Sequence, residues 1–191
     1  RRKPLRGAAR QAFLDAHGIT SAQPRPPLGL SAPIFTRAGV AAFGRDLTSS
    51  KQVWSATEGY PGDGHYRDFY RDIGFDRPLA EIAPYIHPDG IRVHTGYKYH
   101  RVTGPRVDLA DKALYEPTVA LARAHEHARD FVYKRVQQLQ NLRQQQERRP
   151  LVVSPYDAEL YGHWWFEGPE FLGEVLRLCS ESGSGIRLRT A

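Results

Sequence analysis

Two carboxylates stand close together in an aromatic setting, Asp157 and Glu159, in a stretch that runs from Ser154 through Tyr156 and on to Tyr161, His163, Trp164 and Trp165. If this stretch is extended, the two acids share a face, because strand side chains alternate with period two. Nearby rings disfavour a charged carboxylate by desolvation and so raise its pKa. A carboxyl group tuned in that way can give a proton to a leaving oxygen. Rings that stack on apolar sugar faces, beside acids that bind hydroxyls, describe a carbohydrate site. Structural acids and core tryptophans are the alternative reading of the same residues.

The elements around this stretch must position it. Leu151, Val152 and Val153 form a short apolar run and predict a strand buried on both faces. Gly168, Pro169 and Glu170 predict a helix start, with Pro at the first position and an acid near the positive end. That helix would carry Phe171, Leu172, Val175, Leu176 and Cys179 on one face. Strand, polar loop and helix in this order make a βα unit, with chemistry at the strand's C-terminal end, as in α/β barrels.

Upstream, residues 111–147 predict a long amphipathic helix through Leu121, Ala124, Ala128, Phe131 or Val132, Leu139 and Leu142. Pro117 suits a first helical position and gives an alternative start there, and Pro150 ends the helix. Its expected place is the outside of a sheet. Residues 4–17 predict a short helix stopped by Gly18, residues 20–32 a Pro-rich irregular connection, and residues 33–36 a short strand. A turn at Gly39 and an apolar patch from Val40 to Phe43 follow. Residues 44–76 alternate aromatics and charges among Gly59, Pro61, Gly62 and Gly64, which predicts a shaped loop with binding work. The other reading of that loop is an Arg- and Asp-laced packing element.

Composition narrows the class. The chain has 191 residues, is 40% hydrophobic and 25% charged, and has a formal net charge of +6. No apolar run reaches the roughly 18 residues of a membrane span. One cysteine, Cys179, forms no internal disulfide, which points to a cytoplasmic location. The basic excess sits largely at the ends, with no nucleic-acid-binding motif, and reads as a solvated Arg-rich surface. His residues show no HExxH or Cys/His spacing; His125 and His127 lie two apart on a helix and face different ways. Neither a metal nor a cofactor is expected. A chain that starts at Arg1 and contains no Met is expected to lack its true N-terminus.

Two long segments carry a resemblance. The run from Ser154 to Pro169 strongly resembles the fourth conserved region of family 57 glycoside hydrolases. Val53 to Asp63, followed by Tyr66 to Asp76, looks like the 1,4-α-glucan branching enzymes of that family. The match covers most of residues 33–178 and, more weakly, Phe13 to Ile19, whereas residues 1–32 otherwise match poorly. The resemblance implies an α/β fold for residues 1–191, the later part of a distorted (β/α)7 barrel, incomplete in this chain. It implies a retaining enzyme that cleaves α-1,4-glucan such as amylose or glycogen and transfers the freed chain to a 6-hydroxyl.

Carried over by motif, the general acid/base falls on Asp157, and substrate contacts fall on Arg45, Trp54 and Gly62. His163 and Trp164 stand beside the acid/base in the motif and are expected to line the same pocket, while Trp165 suits the pocket or the core. The family's nucleophilic glutamate matches nothing in this chain; Glu58 and Glu159 are the local acids, and neither sits in its motif. Residues 20–32 are also shorter and richer in Pro than the family's usual connection. The expectation is therefore a branching-enzyme fragment that is inactive alone. A 4-α-glucanotransferase, an α-amylase or a non-catalytic glucan-binding remnant is the alternative.

Overall fold

The computed structural model describes residues 30–189. The expected helix over 4–17 with its stop at Gly18, the weak match at 13–19 and most of the Pro-rich connection lie outside the described residues. Strands β1 (Ile34–Phe35) and β2 (Ala41–Ala42) pair antiparallel, with Ile34 opposite Ala42. Gly39 turns the chain between them at φ 82°, where a side chain would be strained. The strand and turn lie where the sequence predicts them.

The shaped loop holds more regular structure than its composition suggests. Helix α1 (Leu47–Trp54) starts because Asp46 caps it, its carboxylate accepting from the Ser49 N–H at 2.7 Å. Helix α2 (Ile73–Asp76) uses Asp72 in the same way, and α3 (Leu79–Ile82) follows. Between α1 and α2 the chain is irregular apart from a short 3-10 turn at Tyr60–Gly62.

Helix α4 spans Pro117–Gln145, so it begins at the proline and not at residue 111. Helix α5 spans Gly168–Ser180, with Pro169 in its first turn as expected. The two helices form the centre of the described fold. Ala120, Ala124, Ala128 and Phe131 of α4 are buried together with Phe171, Val175 and Cys179 of α5. Alanines at this spacing let the helices approach closely, and the rings of Tyr60, Tyr66 and Trp165 fill the space beside them.

Several expected positions move. Leu121 and Leu176 are exposed: the buried stripe of α4 takes in Ala120 in place of Leu121, and that of α5 runs through Phe171, Val175 and Cys179 without Leu176. The long helix packs on α5 and not on a sheet. Leu151 to Val153 is extended but half-buried and forms no strand among the described residues. Its backbone has single partners, the Ser31 carbonyl for Leu151 N–H and the Asp46 N–H for the Val153 carbonyl, both at 2.8 Å. Two isolated bonds do not make a ladder. The only sheet among the described residues is the β1–β2 pair.

Phe171 touches Trp165, Tyr60 and Phe131 with ring centroids 4.8, 5.6 and 5.7 Å away. Phe171→Ala is expected to cost about 3–5 kcal/mol in urea unfolding. A loss under about 1 kcal/mol would show that this ring cluster does not hold α4 to α5.

Candidate functional site

Asp157 is positioned by the docking of its loop on α1. Besides the Asp46–Val153 backbone bond, the Ser49 and Ser154 hydroxyls meet at 2.5 Å, and the Tyr156 hydroxyl donates to the Ser49 carbonyl at 3.4 Å. Trp54, the last residue of α1, points its indole N–H at the Pro155 carbonyl, 3.5 Å away. The structure thus brings Trp54 beside the Asp157 loop. Arg45 is exposed, one residue before the Asp46 N–H that joins Val153. Ser49 and Ser154 escaped the sequence reading because two serines a hundred residues apart carry no local signal.

The Asp157 backbone does not continue as an extended chain. Residues Ala158–Leu160 form a 3-10 turn, closed by Leu160 N–H to the Asp157 carbonyl at 3.1 Å. The alternation that would align Asp157 with Glu159 is therefore lost. Both acids are exposed, and no described ring buries them. Glu58 lies in a surface ion pair with Lys51 at 2.7 Å.

The turn that follows separates the two tryptophans. Trp165 N–H donates to the Leu160 carbonyl at 2.9 Å and Trp164 N–H to that of Glu159 at 3.2 Å, with Gly162 at φ 89° making the bend. Trp165 points inward at 2% exposure and belongs to the core, whereas Trp164 is 50% exposed. Trp164 stacks on Phe69 with centroids 4.3 Å apart, and His163 meets both rings edge-on at 5.4 Å. His163 and Trp164 therefore share a surface with Phe69, a residue the sequence reading did not single out. Its place among alternating aromatics was the available signal.

Gly62 acts through its backbone. A Cβ there would lie 2.0 Å from the Ala56 carbonyl oxygen, a distance no side chain tolerates. The loop around it is clamped to α4. Tyr60 donates its hydroxyl to Asp130 at 2.7 Å, and Asp63 accepts from Arg123 at 2.9 Å. Tyr66 and His127 Nδ1 are 2.7 Å apart. Burial, with Arg123 nearby, lowers the His127 pKa despite the opposing field of Asp63. With Nε2 3.6 Å from the Asp63 carboxylate, the proton of the neutral ring belongs on Nε2, and Nδ1 accepts from the Tyr66 hydroxyl. His125 points elsewhere, with Nε2 3.9 Å from Glu170. No group of three or more His, Cys, Asp or Glu among the described residues could hold a metal ion.

Two acids of residues 66–76, Asp68 and Asp72, organise backbone. Asp68 accepts from the Tyr70 and Arg71 N–H groups at 2.8 and 2.6 Å and pairs with Lys112. Asp72 accepts from Gly74, Thr95 and Gly96 N–H groups at 2.9, 3.0 and 2.9 Å and from the Thr95 hydroxyl at 2.7 Å. Burial works against its charge, but these bonds prevail and bring its pKa down to about 2.

No protein-family model matches the chain. Over 147 residues it is 41% identical to a 1,4-α-glucan branching enzyme of Thermococcus kodakarensis, covering 75% of this chain and 18% of that protein. It is 38% identical over 151 residues to a probable 1,4-α-glucan branching enzyme of Mycobacterium tuberculosis, covering 79% and 25%. Among solved structures, an α-amylase of Thermotoga maritima superposes with TM-score 0.82 at 44% identity, covering 95% of this chain and 37% of that one. A family 57 (GH57-type) branching enzyme of Pyrococcus horikoshii superposes with TM-score 0.65 at 34% identity, covering 91% and 27%. The chain spans about a fifth to a quarter of the length of the curated relatives it matches.

Two outcomes follow from this geometry. Gly62→Ala is expected to open the turn between Trp54 and Asp63 and lower the urea midpoint, whereas Gly173→Ala, where a Cβ meets open space, is not. Asp72 has a folded pKa of about 2 against an ordinary 3.8, so its stabilisation is full above the ordinary value and lost as pH falls through about 2. The amount is about 2 kcal/mol. Asp72→Asn should be less stable than the parent near about pH 6, with the gap closing below about pH 2; a constant gap contradicts the linkage.

Proposed function

As a segment homologous to the branching enzymes of glycoside hydrolase family 57, this chain carries, we propose, the general acid/base of a retaining 1,4-α-glucan branching reaction, Asp157. Residues 1–191 form part of one catalytic domain, the later portion of a distorted (β/α)7 barrel, best matched over 33–178. The observation that carries the reading is the docking of the Asp157 loop on the helix that ends in Trp54. The indole at the end of a fixed helix meets the carbonyl of Pro155, two residues before an exposed acid, an arrangement suited to a sugar ring on the indole and its glycosidic oxygen at the acid.

In this reaction Asp157 protonates the leaving oxygen as the C1–O bond breaks and a glutamate carboxylate, on a residue that this chain does not match, bonds to C1. Asp157, now a carboxylate, removes the proton from an acceptor 6-hydroxyl as that oxygen attacks C1 and releases the glutamate. Arg45, Trp54, His163 and Trp164 contact the glucan, and Gly62 keeps the Trp54 loop close to it. Shielding by that loop favours transfer to a sugar over transfer to water. The partner is amylose or glycogen, in glycogen biosynthesis in the cytoplasm. No helix among the described residues is long and apolar enough to cross a membrane.

A second reading, an α-amylase, is favoured by the superposition on the Thermotoga maritima enzyme. Linkage analysis of products separates the two, since branching makes α-1,6 bonds and hydrolysis makes reducing ends. The chain alone is expected to give neither product from amylose. Branching by the isolated chain that Asp157→Asn abolishes would overturn the assignment of the nucleophile to another segment. In a protein joining this segment to the nucleophile, Asp157→Asn should lower transfer by about 10²–10⁴-fold, and an unchanged rate would remove Asp157 from the mechanism. There, Trp54→Ala should raise hydrolysis relative to transfer.

A further inference from the structure

Trp164 is supported by a column of side chains that begins in the loop interior. Its indole lies on Phe69 at 4.3 Å, planes 29° apart. The Lys98 ammonium is 5.2 Å from the centroid of the same Phe69 ring. Lys98 is itself held: its side chain is 9% exposed, and Nζ lies 3.4 Å from Asp72 Oδ2. Asp72 is fixed in turn by the N–H groups of Gly74, Thr95 and Gly96.

Phe69 does not belong to the buried core around α4 and α5. The Phe69 ring meets Tyr70, His163, Trp164 and Lys98, all at the surface or in the loop. An indole half-exposed to water loses rotamer freedom when it binds a ligand, and a ring that already fixes it removes that loss before binding. We infer that Phe69, backed by Lys98 and Asp72, is a positioning residue that presents Trp164 as a preset stacking face for a glucose ring of an α-1,4-glucan. This rests on the reading of Trp164 as a glucan contact.

Indole N–H resonances of the ¹⁵N-labelled chain test the column directly, since it has three tryptophans. Phe69→Leu and Lys98→Met should shift the Trp164 signal and leave that of the core Trp165 in place, whereas Phe69→Tyr and Lys98→Arg should preserve both. Titration with maltoheptaose should show about 3- to 10-fold weaker binding for Phe69→Leu and Lys98→Met, with affinity retained in the two conservative variants. Lys98→Met keeps the ring, so it decides the matter if Phe69→Leu disturbs Trp165. Weaker binding in Trp164→Ala but not in Phe69→Leu or Lys98→Met overturns the column alone. Unchanged binding in Trp164→Ala overturns the reading of Trp164, and the column's role with it.

Discussion

The packing of Trp165 against Phe171 and Tyr66 joins every part of the described structure that bears on the site. Trp165 ends the turn that follows Asp157, Phe171 opens the buried face of α5, and Tyr66 belongs to the loop clamped on α4. Burying three large rings in one place provides the main apolar driving force here. It also fixes the turn at Gly162, so that Trp164, the next residue back, is turned outward. One inward indole thereby determines the orientation of the other.

Around that apolar centre, buried and half-buried acids hold the backbone in shape. Asp46, Asp63, Asp68 and Asp72 each accept backbone N–H groups as well as side-chain donors. Glu167, only 1% exposed, does the same for the Arg67 N–H at 3.0 Å. Asp72, with three such N–H groups, stays charged although it is buried, and bonds of this kind replace those that a sheet or helix would have supplied. The long segment between α1 and α4 keeps a defined path in this way. The acids Asp68 and Asp72 of this segment serve the fold, whereas Asp157 is exposed.

The arrangement separates rigidity from reactivity. Trp54 sits at the end of a capped helix, and Trp164 sits on the Phe69 ring, so both indoles are held in place. Asp157 lies between two backbone anchors, the bonds at Val153 and Leu160. Sites built on fixed elements need little reorganisation when the reacting groups meet.

The sequence by itself determined the local features: the proline start of α4, the Gly168-Pro169 start of α5, the turn at Gly39, and the motif that puts an acid at Asp157 beside aromatic residues. These are legible because caps, prolines and glycines act within a few residues. The homologous segments were legible for a different reason, the length and order of the motifs. Only the tertiary structure decided that Trp165 is core and Trp164 surface, that Asp157 and Glu159 do not share a face, and that Phe69 carries Trp164. It also showed Leu151 to Val153 without a ladder and the long helix against α5. Each of these depends on partners distant in sequence, such as Ser49 on Ser154 or Lys98 on Phe69, and the periodicity of one segment does not encode which distant surface it meets.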